Sequence, residues 1–419
     1  MAGGQRLGRR FGWLWGAYAV SAVGTWLAFD AFPLIAILVL DASPAEVSAL
    51  AAAGLAVGAL VAIPLGPWVE FRPKRPVMVA MDLLRCAALL SVPAAYALGA
   101  LSFAQLLLVS VVVGAADIAF NAASGAFLKS LLRREQLLVA NGRFEATSWT
   151  ATMLGPPLGG ALIGIFGPVT TVIVDAASYL GSALGIGAIG GGEQRPARPE
   201  GQRLRRAELL EGWRFLLSHP TLRLLFVNNV LVGGLILATA PLLAVLMLGQ
   251  LGFTPLQYGL AFAAPCLGGL VGSRLSQPLV ARFGGPRVIR VAGTLRAVWP
   301  IGLALIVPGP AGLALVIGLQ LCLVTCMGVF NPVLATYRLE QTGSERVART
   351  LAAWSVTSNL TKAILIAVWG LLAAATSPRF AIAAAGALLL ATPLLLPRQA
   401  RWRGAVARRG LGEPDRVAG

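Results

Sequence analysis

The sequence predicts an all-α integral membrane protein: twelve transmembrane helices in two parallel-repeat six-helix bundles, with both termini cytoplasmic. Three observations predict it. Of 419 residues, 57% are hydrophobic and 12% charged, with a mean hydropathy of +0.78. A soluble chain is about 25% charged, so these charges are too few to cover a soluble fold of this size. The apolar residues form long continuous runs rather than the alternation that barrel strands need. Arginine and lysine fall almost wholly in alternate connections, which fixes sidedness under the positive-inside rule.

At roughly 20–25 residues each, the runs place spans at roughly 12–40, 46–69, 76–99, 102–127, 136–165, 168–190, 221–248, 256–281, 287–308, 310–337, 348–375 and 379–397. Pro44, Pro73, Gly99, Pro168, Pro255, Pro308, Pro310 and Pro378 break the chain between them. Arg6, Arg9 and Arg10 precede an apolar run longer than a signal peptide's, which predicts a retained first span. The inside connections carry Arg72, Lys74 and Arg75; Lys129, Arg133 and Arg134; Arg195 to Arg214; Arg282 and Arg287; and Arg338 and Arg346, whereas the outside ones carry Arg379 alone. The predicted units are a first bundle (1–190), a cytoplasmic linker with an interfacial helix (191–218), a second bundle (219–397) and a basic tail (398–419). Leu204, Leu209, Trp213 and Leu216 share one face of that helix. His219 follows as a satisfied polar residue at the membrane edge.

The net charge is +17, from 34 Lys and Arg against 17 Asp and Glu. On a soluble chain this would point to nucleic acid. Here it is cytoplasmic-loop charge facing an anionic leaflet, and no nucleic-acid partner is expected. Cys86, Cys266, Cys322 and Cys326 all lie in apolar runs and read as small apolar residues, with no metal or cofactor. No phosphate-binding G-x-x-x-x-G-K-[ST] run supports ATP-driven transport. One histidine leaves little from which to build an enzyme site.

The halves repeat. Pro33–Leu40 resembles Pro241–Leu248 at an offset of 208. Pro67, Val69, Val77, Leu84 and Arg85 match Pro278, Val280, Val288, Leu295 and Arg296 at 211. Phe120-Asn121 matches Phe330-Asn331 at 210, and Val139-Ala140 matches Val347-Ala348 at 208. Six spans per half make the repeat parallel, which places a site near the midplane between the halves.

The loop from Gly66 to Val77, with Glu70, Arg72, Lys74 and Arg75, resembles the G-x-L-a-D-R-x-G-R-R motif of the major facilitator superfamily. Glu70 stands where that motif has aspartate, and Phe71 where it has arginine. Gly155-Pro156-Pro157-Leu158-Gly159-Gly160 is similar to the superfamily's antiporter motif. Ser21–Gly24, Met81–Arg85, Gln136–Asn141, Asp175–Tyr179 and Glu211–Leu216 with His219-Pro220 resemble the branch holding the enterobactin exporter and macrolide efflux pumps. The resemblance implies alternating access of two bundles about a central cavity, and export driven by inward proton flow. It also implies that the Gly66, Glu70, Arg72, Arg75 loop latches the bundles when the cavity faces out. Glu70 would then meet the positive end of span 11, with Arg143 and Arg349 as candidate partners.

An ionisable group in hydrocarbon costs at least about 2.5–3.5 kcal/mol, so each one needs a reason. Asp30, in span 1, is the first candidate proton carrier, because Ala238 replaces it in the repeat. The competing reading is a polar cap near Pro33. Asp117 is the second candidate, and shares a helix face with Asn121. Asn121, Asn331, Asn359 and Lys362 are candidate cavity lining, against simple interhelical bonding. Asp82 and Arg85 read as a structural pair. Gly155, Pro156, Gly159 and Gly160 read as close packing and a bend. The sequence therefore predicts a monomeric proton antiporter of the bacterial cytoplasmic membrane. Its substrate would be an amphipathic small molecule such as an antibiotic, a siderophore or another secondary metabolite. An importer on the same fold and an integral membrane enzyme are the alternatives.

Overall fold

The computed structural model describes residues 7–28, 31–42, 50, 54, 56, 57, 59, 60, 63–190 and 210–397, and no strand occurs among them. The first half holds α1 (Gly8–Leu27), α2 (Ala31–Leu40), α3 (Leu65–Glu70), α4 (Lys74–Ala97), α5 (Phe103–Leu131), α6 (Arg134–Phe166) and α7 (Pro168–Gly187). The second half holds α8 (Glu211–Ser218), α9 (Pro220–Ala244), α10 (Pro255–Phe283), α11 (Gly285–Val298), α12 (Pro310–Gln341), α13 (Val347–Ala375) and α14 (Pro378–Ala391). A π-helical turn, Val245–Gln250, extends α9, and a tight turn, Trp299–Leu305, extends α11.

Local chemistry sets these starts. Proline begins α7, α9, α10, α12 and α14, where its missing N–H costs nothing and its fixed φ suits the first turn. Ser102, Thr254 and Ser377 accept backbone N–H bonds at their helix starts. Gly167 and Gly284 turn the chain at φ 81°, a region that disfavours other residues. His219 caps α9, its Nδ1 accepting the Leu222 N–H at 3.2 Å.

Twelve spans were expected. Among the described residues nine helices are long and apolar enough to cross a membrane, and ten if the bent pair Arg134–Gly155 and Pro157–Phe166 is one span. The second expected span lies largely outside the described residues. The eighth, α10, has 29 residues but carries Gln257, Arg274, Gln277 and Arg282, which lower its hydropathy. Asp30 lies outside the described residues, between α1 and α2.

The repeat is visible as geometry. Arg85 of α4 lies over the Phe120 ring at 4.6 Å, and Arg296 of α11 lies over Phe330 at 3.5 Å. The halves meet where α13 packs on α3 and α5, and where α6 packs on α10 and α12. The polar bonds between the halves cluster toward the end that carries the arginine-rich connections, called here the basic end.

Candidate functional site

At the basic end, Glu70 Oε2 lies 2.7 Å from Arg349 Nε, both side chains 8% exposed. The contact is Coulombic, since the N–H does not aim at the oxygen. Arg349 also pairs with Glu211 and covers the Phe71 ring at 5.0 Å. Arg346 holds the other Glu211 oxygen at 3.2 Å. Lys74 Nζ donates to the carbonyls of Val69, Glu70 and Arg72 at 3.0, 2.6 and 2.7 Å, closing the end of α3. Arg75 donates to the carbonyls of Gly187 and Ile189 at the end of the first half. Arg72 lies over Trp68 at 4.9 Å, and Gly66 lies within α3. Burial pushes the Glu70 carboxyl up to about 7, desolvation outweighing the pull of Arg349.

Deeper in, one network joins α4, α5, α7 and α1. Arg85 pairs with Asp82, which is fully buried, and lies 3.2 Å from Asp117, which is half-exposed. Asn121 donates to Asp117 at 2.9 Å. Arg85 covers the Tyr179 ring at 4.1 Å, and Thr25 bonds both Tyr179 (2.8 Å) and Asp175 (3.2 Å). The pair read from sequence as structural is thus continuous with the candidate carrier Asp117. Lys362 of α13 acts electrostatically on Asp117 from the other half, and Asn359 lies three residues before it, partly buried. Asn331 lies elsewhere, donating to Glu145 of α6 at 2.8 Å.

Glu145 is the residue that sequence reasoning missed. Its Oε1 also accepts the Trp149 indole N–H at 2.9 Å. It sits well inside the span expected at 136–165, so the cost of a carboxylate in hydrocarbon is the signal that would have found it, as it found Asp117. Further bonds across the halves are Asn141 to Thr336 (2.9 Å), Arg134 to Glu340 (3.0 Å) and Lys129 to the Thr342 carbonyl. The other proposed latch partner, Arg143, lies over Phe11 and Trp15 instead.

The antiporter-type motif falls at the bend of α6, which turns by 41° between Gly155 and Pro157, at Pro156. A Cβ on Gly155 would lie 2.4 Å from Trp26 Cβ, and one on Gly159 would lie 2.1 Å from the Leu27 carbonyl oxygen. These two glycines let α6 touch the backbone of α1. Gly160 faces open space. Gly159→Ala is therefore expected to cost about 1–3 kcal/mol, read as a lower thermal-unfolding midpoint in detergent, while Gly160→Ala leaves the midpoint unchanged. Equal effects would refute the contact.

Comparison with known proteins bears on this arrangement. The Major Facilitator Superfamily profile matches residues 14–337 and again 225–413. The chain is 30% identical over 302 residues to the "Multidrug efflux pump Tap" of Mycobacterium tuberculosis, covering 69% of this chain and 68% of that protein. It is 27% identical over 339 residues to the pump of that name from Mycolicibacterium fortuitum, covering 77% and 78%. A crystal structure of a bacterial homologue of the iron transporter ferroportin, in its outward-facing state, matches with a TM-score of 0.78 at 17% identity, over 92% of this chain and 98% of that one.

Proposed function

Because the chain belongs to the Major Facilitator Superfamily, we propose that it exports amphipathic small molecules, such as antibiotics, siderophores or other secondary metabolites, by proton antiport with alternating access. In this reading it works as a monomer in the bacterial cytoplasmic membrane. The basic end is cytoplasmic, under the positive-inside rule. The geometry is then the outward-facing state, its inner end held by Glu70–Arg349, Glu145–Asn331 and Arg134–Glu340. The two bundles and the linker divide as the repeat divides the sequence.

The observation that carries the coupling is Asp117: a half-exposed carboxyl, tied to a buried arginine, in a chain whose relatives are named as efflux pumps. A proton on Asp117 loosens its hold on Arg85, and when the cavity opens to the cytoplasm that proton passes to water as substrate binds. Asp30 is the other proposed carrier, on its place in span 1. One proton moving through 100 mV releases about 2.3 kcal/mol, which sustains roughly a 50-fold gradient of a neutral solute.

The test is substrate-triggered proton release from energised inverted vesicles, over macrolides, lipophilic cations and catecholate siderophores. The wild type is expected to respond to at least one compound. Asp117→Asn or Asp30→Asn is expected to abolish that response while substrate binding persists. Responses in both variants that equal the wild type would remove coupling from these residues. Silence of the wild type across the panel would overturn this substrate class.

A further inference from the structure

A groove runs along the seam between the halves. It encloses about 660 Å³ between α1, α6 and α10. Its walls are mostly apolar, with Val23, Leu154, Leu158 and Leu270 among them, and none of its lining residues is acidic. Arg143 of α6 and Arg274 of α10 both line it.

The helix periodicity says which way the groove faces. On α6, Asn141 and Glu145 reach across to α12. Arg143 lies two residues from each, on the opposite side at about 100° per residue. On α10, a Cβ on Gly272 would lie 2.3 Å from the Thr325 carbonyl oxygen of α12. Arg274 is two residues on, again opposite. Both arginines thus face the lipid. They flank a close approach of the two halves, where a Cβ on Gly142 would lie 3.3 Å from the Ser273 carbonyl oxygen.

Their depth and company point to a ligand. Each is nine residues from the basic end of its helix, Arg134 for α6 and Phe283 for α10, about 13 Å in at 1.5 Å per residue. Arg143 rests on the rings of Phe11 and Trp15, 5.8 Å from each. These rings lie near the start of α1, so its guanidinium is drawn toward the basic face. Neither arginine has a carboxylate partner among the described residues. Two unpaired guanidiniums beside hydrocarbon require a counter-charge.

We propose that this seam is a binding site for one anionic phospholipid of the cytoplasmic leaflet. Its phosphate sits between Arg143 and Arg274, and an acyl chain lies along the apolar wall of α1 and α6. Acidic headgroups collect at basic pockets between spanning helices on this side. A headgroup held by one arginine from each half ties the halves together at the seam, so the lipid favours the state with the basic end closed. The site is independent of what is transported.

The test uses the full chain, delipidated in detergent and titrated with phosphatidylglycerol or phosphatidylcholine under native mass spectrometry. Phosphatidylglycerol is expected to bind about thirtyfold more tightly, and Arg143→Gln or Arg274→Gln each to lose about fivefold of that preference. Arg10→Gln, an exposed arginine at the start of α1, should lose none of it. In nanodiscs, adding phosphatidylglycerol to phosphatidylcholine should raise the closed population, measured between spin labels at Glu135 and Ser344, in the wild type but not in Arg143→Gln/Arg274→Gln. Equal binding of the two lipids overturns the site. So does an unchanged preference in both single variants, an equal loss in Arg10→Gln, or displacement of the lipid by millimolar inorganic phosphate.

Discussion

Arg349→Gln opens the basic end of the molecule. Arg349 is the common partner of Glu70 and Glu211, and it also covers Phe71. Removing one partner of a buried pair costs far more than the pair itself contributes, because the remaining charge keeps its desolvation penalty. Glu211 retains Arg346, whereas Glu70 keeps Lys74, whose ammonium already serves three carbonyls. The expected loss is about 3 kcal/mol from the closed basic end, a shift of more than a hundredfold toward separation of the halves. Spin labels at Glu135 and Ser344, both exposed at that end and on opposite halves, would report it as a longer distance. In the proposed export cycle transport should collapse, since one of its two states is depopulated. An unchanged distance distribution would show that Glu145–Asn331 and Arg134–Glu340 hold the end without Arg349.

The same cluster carries a pH dependence of defined sign. In the closed arrangement burial holds the Glu70 carboxyl near 7, whereas in water it returns to its ordinary 4.5. The closed state therefore binds the proton more tightly, and acid favours closure. Closure weakens as pH rises from about 4.5 to about 7 and is level above that. Glu70→Gln should flatten the dependence in the same label pair. Arg349→Gln should extend it to higher pH, because the pull of Arg349 then no longer opposes desolvation. A wild-type distance distribution that is constant from pH 5 to pH 8 would refute the buried carboxyl.

What was legible in the sequence follows from what each signal depends on. Proline at helix starts and apolar runs act locally, so the helices from Lys74 to Phe166 fall close to their expected places. The repeat was legible because it is an identity pattern: Arg85 with Phe120 and Arg296 with Phe330 stack alike. The i, i+3 partner of Arg85 was legible, whereas those of Arg296 were not, because Asn228 and Asn229 lie far from it in sequence. The bond from Asn331 to Glu145 spans 186 residues, and only packing of α6 on α12 creates it. The cost of burying a carboxylate would have pointed to Glu145, but the sequence reading passed over it. The lipid-facing position of Arg143 depends on which side of α6 meets the second half. A span boundary cannot show that.

The two stacked arginines yield the last prediction, because equivalent places in the repeat have opposite electrostatics. Arg85 is 3% exposed, Asp82 is fully buried, and Asp117 is half-exposed. Arg85→Met leaves the Asp82 carboxylate in the interior without a cation, at a cost of about 3–5 kcal/mol. Arg296 is as deeply buried, at 1% exposed, but its hydrogen-bond partners are the neutral side-chain oxygens of Asn228 and Asn229, at 2.8 and 3.3 Å. Arg296→Met removes a buried charge along with its desolvation penalty. It leaves the side-chain oxygens of Asn228 and Asn229 without that donor, a loss of about 1–3 kcal/mol at the buried Asn228 that the relief offsets. The first variant should fail to accumulate as monodisperse protein, and the second should unfold within about 1 kcal/mol of the wild type. Asp82→Asn/Arg85→Met should recover much of the lost stability, since the stranded charge leaves with the cation. Equal losses in Arg85→Met and Arg296→Met would mean that both arginines act through their stacking on Phe120 and Phe330. The acidic network of the first half would then be a passenger of the packing rather than the reason Arg85 is needed.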